Sequence, residues 1–356
     1  MYVTKLSPSR VNTFLDCSFK YFLTYEIYIC QDCHQPTYVT EWQAMNIDHY
    51  SNKKCLNPKC NSTNLKKLEL PSNWGATNGS IIHKILELYA EACRTKADVG
   101  DWRFKWKDNL VLAYLGRLPN EDGDGFEDFG SERLNLLVDK NQDGLSSLTE
   151  CGECPFHCLV TDNKPCFDGT THSGLCPKLF FEKSILFVEG VIKRYDNRYR
   201  ENCLGTEKKF NIGIGEDIFI NGIMDAAFRV DDDTIEVVDY KTGKFTKKYD
   251  ELLNDNQARM YSIAVKHLFP QFKHHLLTFD YFTRVPVTVS FSDVDDEYMK
   301  RRVIEWYRQI EDTEYPRRIP LRNNGSLFFK CRYMCDRDIC DYHWDIFNSR
   351  YGRGGL

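Results

Sequence analysis

Residues 221–244, NGIMDAAFRVDDDTIEVVDYKTGK, hold two apolar runs that each finish in a carboxylate. The first ends in Gly222-Ile223-Met224-Asp225. The second, Ile235-Glu236-Val237-Val238, ends in Asp239-Tyr240-Lys241. Hydrophobic strands that finish this way can present their carboxylates together at a sheet edge, where like charges repel unless a cation joins them. Hard oxygen donors favour Mg²⁺ or Mn²⁺. Lys241 lies two residues after Asp239 and so emerges on the same face of its strand. A lysine there can orient or help deprotonate an attacking water and offset charge on a phosphate under attack. Each piece alone is ordinary. D-x-K is a common tripeptide, and Asp231-Asp232-Asp233 reads as a solvated turn.

The order of the pieces is more specific. His83 stands upstream in a helical stretch, and Gln257-x-x-x-Tyr261 stands downstream, one helical turn apart and on one face. The set His83, GIMD, VVDYKTG, QARMY resembles the PD-(D/E)XK nuclease superfamily, and within it the RecB-like branch. The resemblance covers residues 83–261 and continues into both termini. It implies an α/β, restriction-endonuclease-like core with a mixed central sheet flanked by helices. It implies that His83, Asp225, Asp239 and the backbone carbonyl of Tyr240 bind Mg²⁺ or Mn²⁺, with Lys241 as the catalytic lysine. Gln257 and Tyr261 would face the site and contact DNA. Glu207, at the start of the first strand, falls where many relatives carry a glutamate and is expected to support the metal or Lys241.

Fifteen cysteines in 356 residues are the loudest feature of the composition. The start, MYVTKLSPSRVNTFLDC, reads as a helix entry rather than a secretion signal, so metal binding is expected over a disulfide framework. Cys17 near one end and Cys331, Cys335 and Cys340 near the other have the layout of the iron–sulfur RecB-like nucleases. These include AddB nuclease domains and CRISPR-associated RecB-type exonucleases. Four thiolates suit a 4Fe–4S cluster. Relatives usually place two residues between the first two C-terminal cysteines, whereas three stand here, and zinc is the alternative for the same ligands. Cys30-x2-Cys33 with Cys55-x4-Cys60 has zinc-ribbon-like spacing. Cys151, Cys154, Cys166 and Cys176 offer a second zinc set, with Cys158 or His157 as substitutes. Asp139, Asn141, Asp143, Ser147 and Glu150, with Gly144, follow the EF-hand calcium loop, although Ser146 replaces the usual apolar residue and no exit helix follows. Cys93 and Cys203 stand apart and read as ordinary buried small residues.

Around these motifs the elements fall into order. Helices are expected over Ser7–Tyr25, 77–94, 180–200, 250–268 and 294–312, with Glu132–Val138 a shorter helix-like run. Strands are expected over Thr206–Ile214, Ile218–Val230 and Thr234–Tyr240, then a hairpin of about 275–283 and 286–291. The domain reading is an N-terminal helical part (1–29), a zinc-ribbon-like insertion (30–65), a second helical part (66–118) and an acidic, Cys-rich insertion (119–177). The nuclease core with its iron–sulfur segment (178–345) and a flexible tail (346–356) complete the chain. The net charge of −5 at first argues against nucleic acid. Residues 120–150 alone carry nine acidic and two basic residues, which leaves the rest slightly basic and compatible with a DNA groove.

These readings converge on a metal-dependent deoxyribonuclease, expected in the cytoplasm. As the resemblance implies, it would be an exonuclease on single-stranded DNA or DNA ends, in repair, recombination, replication or CRISPR adaptation. No G-x-x-x-x-G-K-[ST] loop is present, so unwinding would come from a helicase or another recombination or CRISPR protein. The competing class is a non-catalytic nucleic-acid-binding adaptor built on zinc modules.

Overall fold

Cys203–Gly215 (β5) and Ile218–Arg229 (β6) form a long antiparallel hairpin. Its turn residues Glu216 and Asp217 both have positive φ, 53° and 58°. That twist matches two flanking strands, although it is unusual without glycine. Arg308 clamps the turn, donating to both oxygens of Glu216 at 2.7 Å. The computed structural model describes residues 4–25, 28–33, 36–37, 59–60, 62–67, 74–114, 116–120, 124–127, 129, 177–243, 246–281 and 284–312. Cys55, Cys331, Cys335, Cys340, the 139–150 loop, the second zinc set, the 132–138 run and the tail lie outside these residues.

A six-stranded mixed sheet organises the rest. Thr4–Leu6 (β1) pairs parallel with the start of β6, and Thr234–Lys241 (β7) pairs antiparallel with its end. His274–Tyr281 (β8) pairs parallel with β7, and Val287–Val289 (β9) closes the edge as a hairpin with β8. Parallel neighbours need a crossover. Tyr249–Leu253 (α6) and Asn256–Leu268 (α7) supply it. Pro8–Asp16 (α1), α7 and Asp293–Glu311 (α8) share one core with the sheet, built on Val11, Ile220, Met260, Ala264 and Val303. Trp74–Arg94 (α3), Trp106–Tyr114 (α4) and Pro177–Glu201 (α5) build the other, on Ile81, Ile85, Leu110, Val188, Tyr199 and Phe228. Helices thus flank a mixed sheet, as the resemblance implies.

The structure corrects several element boundaries. The expected helix 7–25 breaks at Cys17, whose backbone is extended (φ −162°, ψ 104°), into α1 and Ser18–Tyr25 (α2). The apolar stripe runs across the break because Cys17 keeps the helical hydrogen-bond path. Its N–H donates to Thr13 O at 2.9 Å and its carbonyl accepts from Tyr21 at 3.0 Å. The expected helix 250–268 breaks before Asp255, whose side chain caps α7 by accepting from Ala258 N–H at 3.0 Å. Helix α3 begins at Trp74 rather than at 77, so His83 lies about two and a half turns in.

A second, small sheet has the order Pro36–Thr37 (β3), Tyr28–Cys30 (β2), Leu65–Lys67 (β4). Gln31 N–H donates to Asn64 O at 2.9 Å, which sets the turn after Cys30 beside the chain that follows Cys60.

Gly222 is dictated by close approach. A Cβ there would stand 2.6 Å from Cζ of Phe210, its cross-strand partner. The Phe210 ring in turn meets Tyr261 edge-on at 5.6 Å. Gly222→Ala is expected to cost about 1–3 kcal/mol by overpacking, read as a lower midpoint in urea. An unchanged midpoint would mean that Phe210 swings aside freely.

Candidate active site

The pairing of β6 with its neighbours leaves a fork. One edge of β6 is covered by β5 throughout. The other is shared by β1, which covers Ile218–Ile220, and β7, which covers Ala226–Arg229. Residues 221–225 lie between them. Asp225 would stand opposite Asp239 one step beyond the last ladder pair, Ala226↔Val238. Its Oδ2 instead accepts the Tyr240 N–H at 2.6 Å. Tyr261, reaching in from α7, donates its hydroxyl to the Ile223 carbonyl at 2.6 Å. Two backbone groups left by the splayed strands are thereby satisfied.

Side-chain alternation slips at the same point. Met224 and Ala226, two residues apart on one strand, pack into different cores. On β5, Glu207, which the register places opposite Asp225, has φ +43°. A left-handed glutamate inside a strand stores of order 1–3 kcal/mol and persists only where its surroundings impose it. The distortion brings two carboxylates directly across from each other, which is repulsive without a counter-charge.

His83 supplies that charge. Gly79, about one turn earlier on α3, lies so near Thr242 that an added Cβ would be 3.4 Å from its hydroxyl, so α3 crosses close to the end of β7. The His83 Nδ1 is 3.1 Å from Asp225 Oδ1 and 3.4 Å from Glu207 Oε1. Burial would lower its pKa, but the two carboxylates outweigh burial and hold it well above the ordinary histidine value. The His83 ring thus stands within reach of both acids.

Beside this trio a second arrangement closes on itself. Lys241 Nζ is 2.6 Å from Asp239 Oδ2 and donates to Gln257 Oε1 at 2.8 Å. Gln257 Nε2 donates to Asp239 Oδ1 at 2.8 Å. Burial pushes the Asp239 carboxyl up to about 6, against the lowering pull of Lys241. For Lys241 burial lowers the pKa, but Asp239 overcomes it and keeps the side chain an ammonium. Lys241 is therefore a fixed positive charge and hydrogen-bond donor.

Residues 181–343 match the family model of the PD-(D/E)XK nuclease superfamily. No curated protein matches the chain. The matched stretch contains Glu207, Asp225, Asp239, Lys241, Gln257 and Tyr261. His83 lies outside it and reaches the site only through the packing of α3. A PD-(D/E)XK nuclease is a metal-dependent enzyme with a nucleic-acid substrate, and the donors here suit a divalent cation. One ligand atom each of His83, Glu207 and Asp225 lie within 4.8 Å of one another. Asp239 Oδ2 is buried, with the Lys241 ammonium beside it but no hydrogen bond of good geometry.

Placement differs from the sequence reading in emphasis. The trio includes Glu207, which the sequence offered only as support, while Asp239 is engaged by Lys241 and Gln257. Gln257 and Tyr261, read as DNA contacts, use their polar atoms within the protein. Tyr240 sends its side chain into the opposite core, where its hydroxyl meets that of Tyr199 at 2.5 Å. Cys93 is buried, whereas Cys203 is only partly so. Tyr199 as an anchor and the strained Glu207 backbone went unread, because neither leaves a local sequence signature.

Proposed function

We propose that this chain is a RecB-like DNA nuclease dependent on Mg²⁺ or Mn²⁺, acting as an exonuclease on single-stranded DNA or DNA ends. The observation that carries the reading is the meeting of His83, Glu207 and Asp225 beside the closed arrangement of Asp239, Lys241 and Gln257. His83, Asp225 and Asp239, with the Tyr240 carbonyl, would hold the metal, and Glu207 lies where it can join or steady them. A bound divalent ion supplies Lewis-acid polarisation of the phosphate and of water. The chain's own residues do the rest. Lys241, held as an ammonium, faces the negative charge that develops on the phosphoryl oxygens. Gln257 fixes Lys241 and Asp239 in register, so neither must reorganise during the reaction. Tyr261 props open the strand fork through the Ile223 carbonyl.

The pathway we favour is DNA repair, recombination, replication or CRISPR adaptation, with a helicase or similar protein as partner. We further propose that Cys17, at the break between α1 and α2, joins Cys331, Cys335 and Cys340 in a 4Fe–4S cluster that ties the chain ends together. Zinc on Cys30, Cys33, Cys55 and Cys60 would hold the small sheet, which is too small to bury a core. Cys151, Cys154, Cys166 and Cys176 are offered for a second zinc, and the 139–150 loop for calcium. Among the described residues, no helix is long and apolar enough to cross a membrane.

The test is digestion of end-labelled single- and double-stranded DNA with Mg²⁺ and with Mn²⁺, set against Asp239→Ala. Stepwise loss from an end, abolished by chelator and by the variant, is the expected result. Binding without cleavage by the wild type would favour the adaptor reading. Anaerobically purified protein should be brown, with iron and sulfide that Cys17→Ser lowers sharply. Colourless protein with zinc at those four cysteines would remove the iron–sulfur claim and keep the closure.

A further inference from the structure

The amide of Asn256, the first residue of α7, donates from Nδ2 to Oδ1 of Asn12 on α1 at 2.8 Å, across 244 positions of sequence. From this contact we infer that Asn12 is a positioning residue for Gln257, an inference that rests on the nuclease reading above. Gln257 must serve two partners at once, giving its N–H to Asp239 and its carbonyl oxygen to Lys241. Both bonds form in one orientation of one planar amide, so a small displacement of the first turn of α7 breaks one or both. Several ties hold that turn. The Asp255 cap to Ala258, and Arg259 Nε to Leu253 O at 2.7 Å, join residues within 253–259. Such local ties travel with the helix end if it moves. The Arg259–Asp295 ion pair at 3.6 Å refers the turn to α8, and the Asn12 contact refers it to α1, which is seated in the core by the buried Val11 and Pro8. Asn12 sits one residue from Val11, and Asn256 one residue from Gln257. The path from core to active-site amide is therefore short: a single hydrogen bond between two half-buried asparagines, one beside the buried Val11 and the other beside Gln257.

The contact needs an acceptor at position 12 and a donor at position 256, which makes it testable by conservative replacement. Full-length wild type, Asn12→Ala, Asn12→Asp, Asn256→Ala and the double alanine variant are compared on a labelled oligonucleotide with Mn²⁺. Asn12→Ala is expected to lower kcat by about tenfold, with KM within about twofold. Asn12→Asp keeps the acceptor oxygen and should retain most of kcat. Asn256→Ala should match Asn12→Ala, and the double variant should lose no more than either single one. In parallel, the Gln257 side-chain amide is followed by NMR in ¹⁵N-glutamine-labelled protein. It should shift in Asn12→Ala and stay in place in Asn12→Asp. An unchanged kcat and an unmoved amide in Asn12→Ala would overturn the inference. So would equal losses in Asn12→Ala and Asn12→Asp, which would mark a merely structural role. If the wild type cleaves nothing, the nuclease reading fails, and the Gln257 resonance still decides whether Asn12 positions it.

Discussion

Lys241→Ala is expected to lower kcat by about 10²–10³-fold, the usual loss when a preorganised positive group facing a developing negative charge is removed. The expectation comes from how the lysine is held. Its ammonium is in ionic contact with Asp239 and hydrogen-bonded to Gln257, so its charge and place are fixed before substrate arrives. A group of this kind acts chiefly where charge is greatest, in the transition state, so KM for DNA should change little. Alanine also leaves Asp239 buried without its nearest cation, which should change the affinity of the site for a divalent ion. Single-turnover rates at saturating Mn²⁺ separate the two effects, because excess metal corrects the second and not the first. Lys241→Arg keeps a charge on a bulkier head and should recover part of the rate. Full turnover by a clean Lys241→Ala preparation would sink the assigned role.

Phe228→Ala is expected to cost about 3–5 kcal/mol, a large share of the 5–15 kcal/mol typical of a folded domain. Phe228 is fully buried and joins the sheet to α5. Its ring stacks on Tyr195 at 5.6 Å and 8°, and Tyr199 lies at 5.4 Å. The Arg198 guanidinium covers it at 4.4 Å and pairs with Glu236, the residue beside Phe228 on β7. Truncation therefore opens a cavity and loosens an ion pair together. The same layer holds Tyr240 through Tyr199, so the end of β7 should soften. Urea unfolding followed by fluorescence measures the loss. Wild-type stability would mean that the aromatic layer collapses to fill the space.

Much of the site was legible in the chain because its parts are local. An acid two residues before a lysine follows from strand periodicity alone, and β6 and β7 form close to where that periodicity placed them, although β6 continues past Asp225 to Arg229 instead of finishing there. Gln257 and Tyr261 were readable as one face of a helix. The breaks at Cys17 and before Asp255 were not, since apolar spacing continues through both while the backbone departs for only one or two residues. The bonds of Gln257 to Lys241 and Asp239 were not legible for a related reason. Sequence shows that a side chain faces a site, but not which atoms meet it there.

The sequence by itself determined the strands, the carboxylates they carry and the lysine two residues after Asp239, because hydrophobic period and residue spacing act over a few residues. Only the tertiary structure decided that Glu207 faces Asp225, that His83 comes from α3 to stand between them, and that Asn12 reaches Asn256. Those three facts depend on strand register, on a positive φ and on how helices seat against the sheet. Packing of the whole core sets these quantities, and no short stretch of chain encodes them.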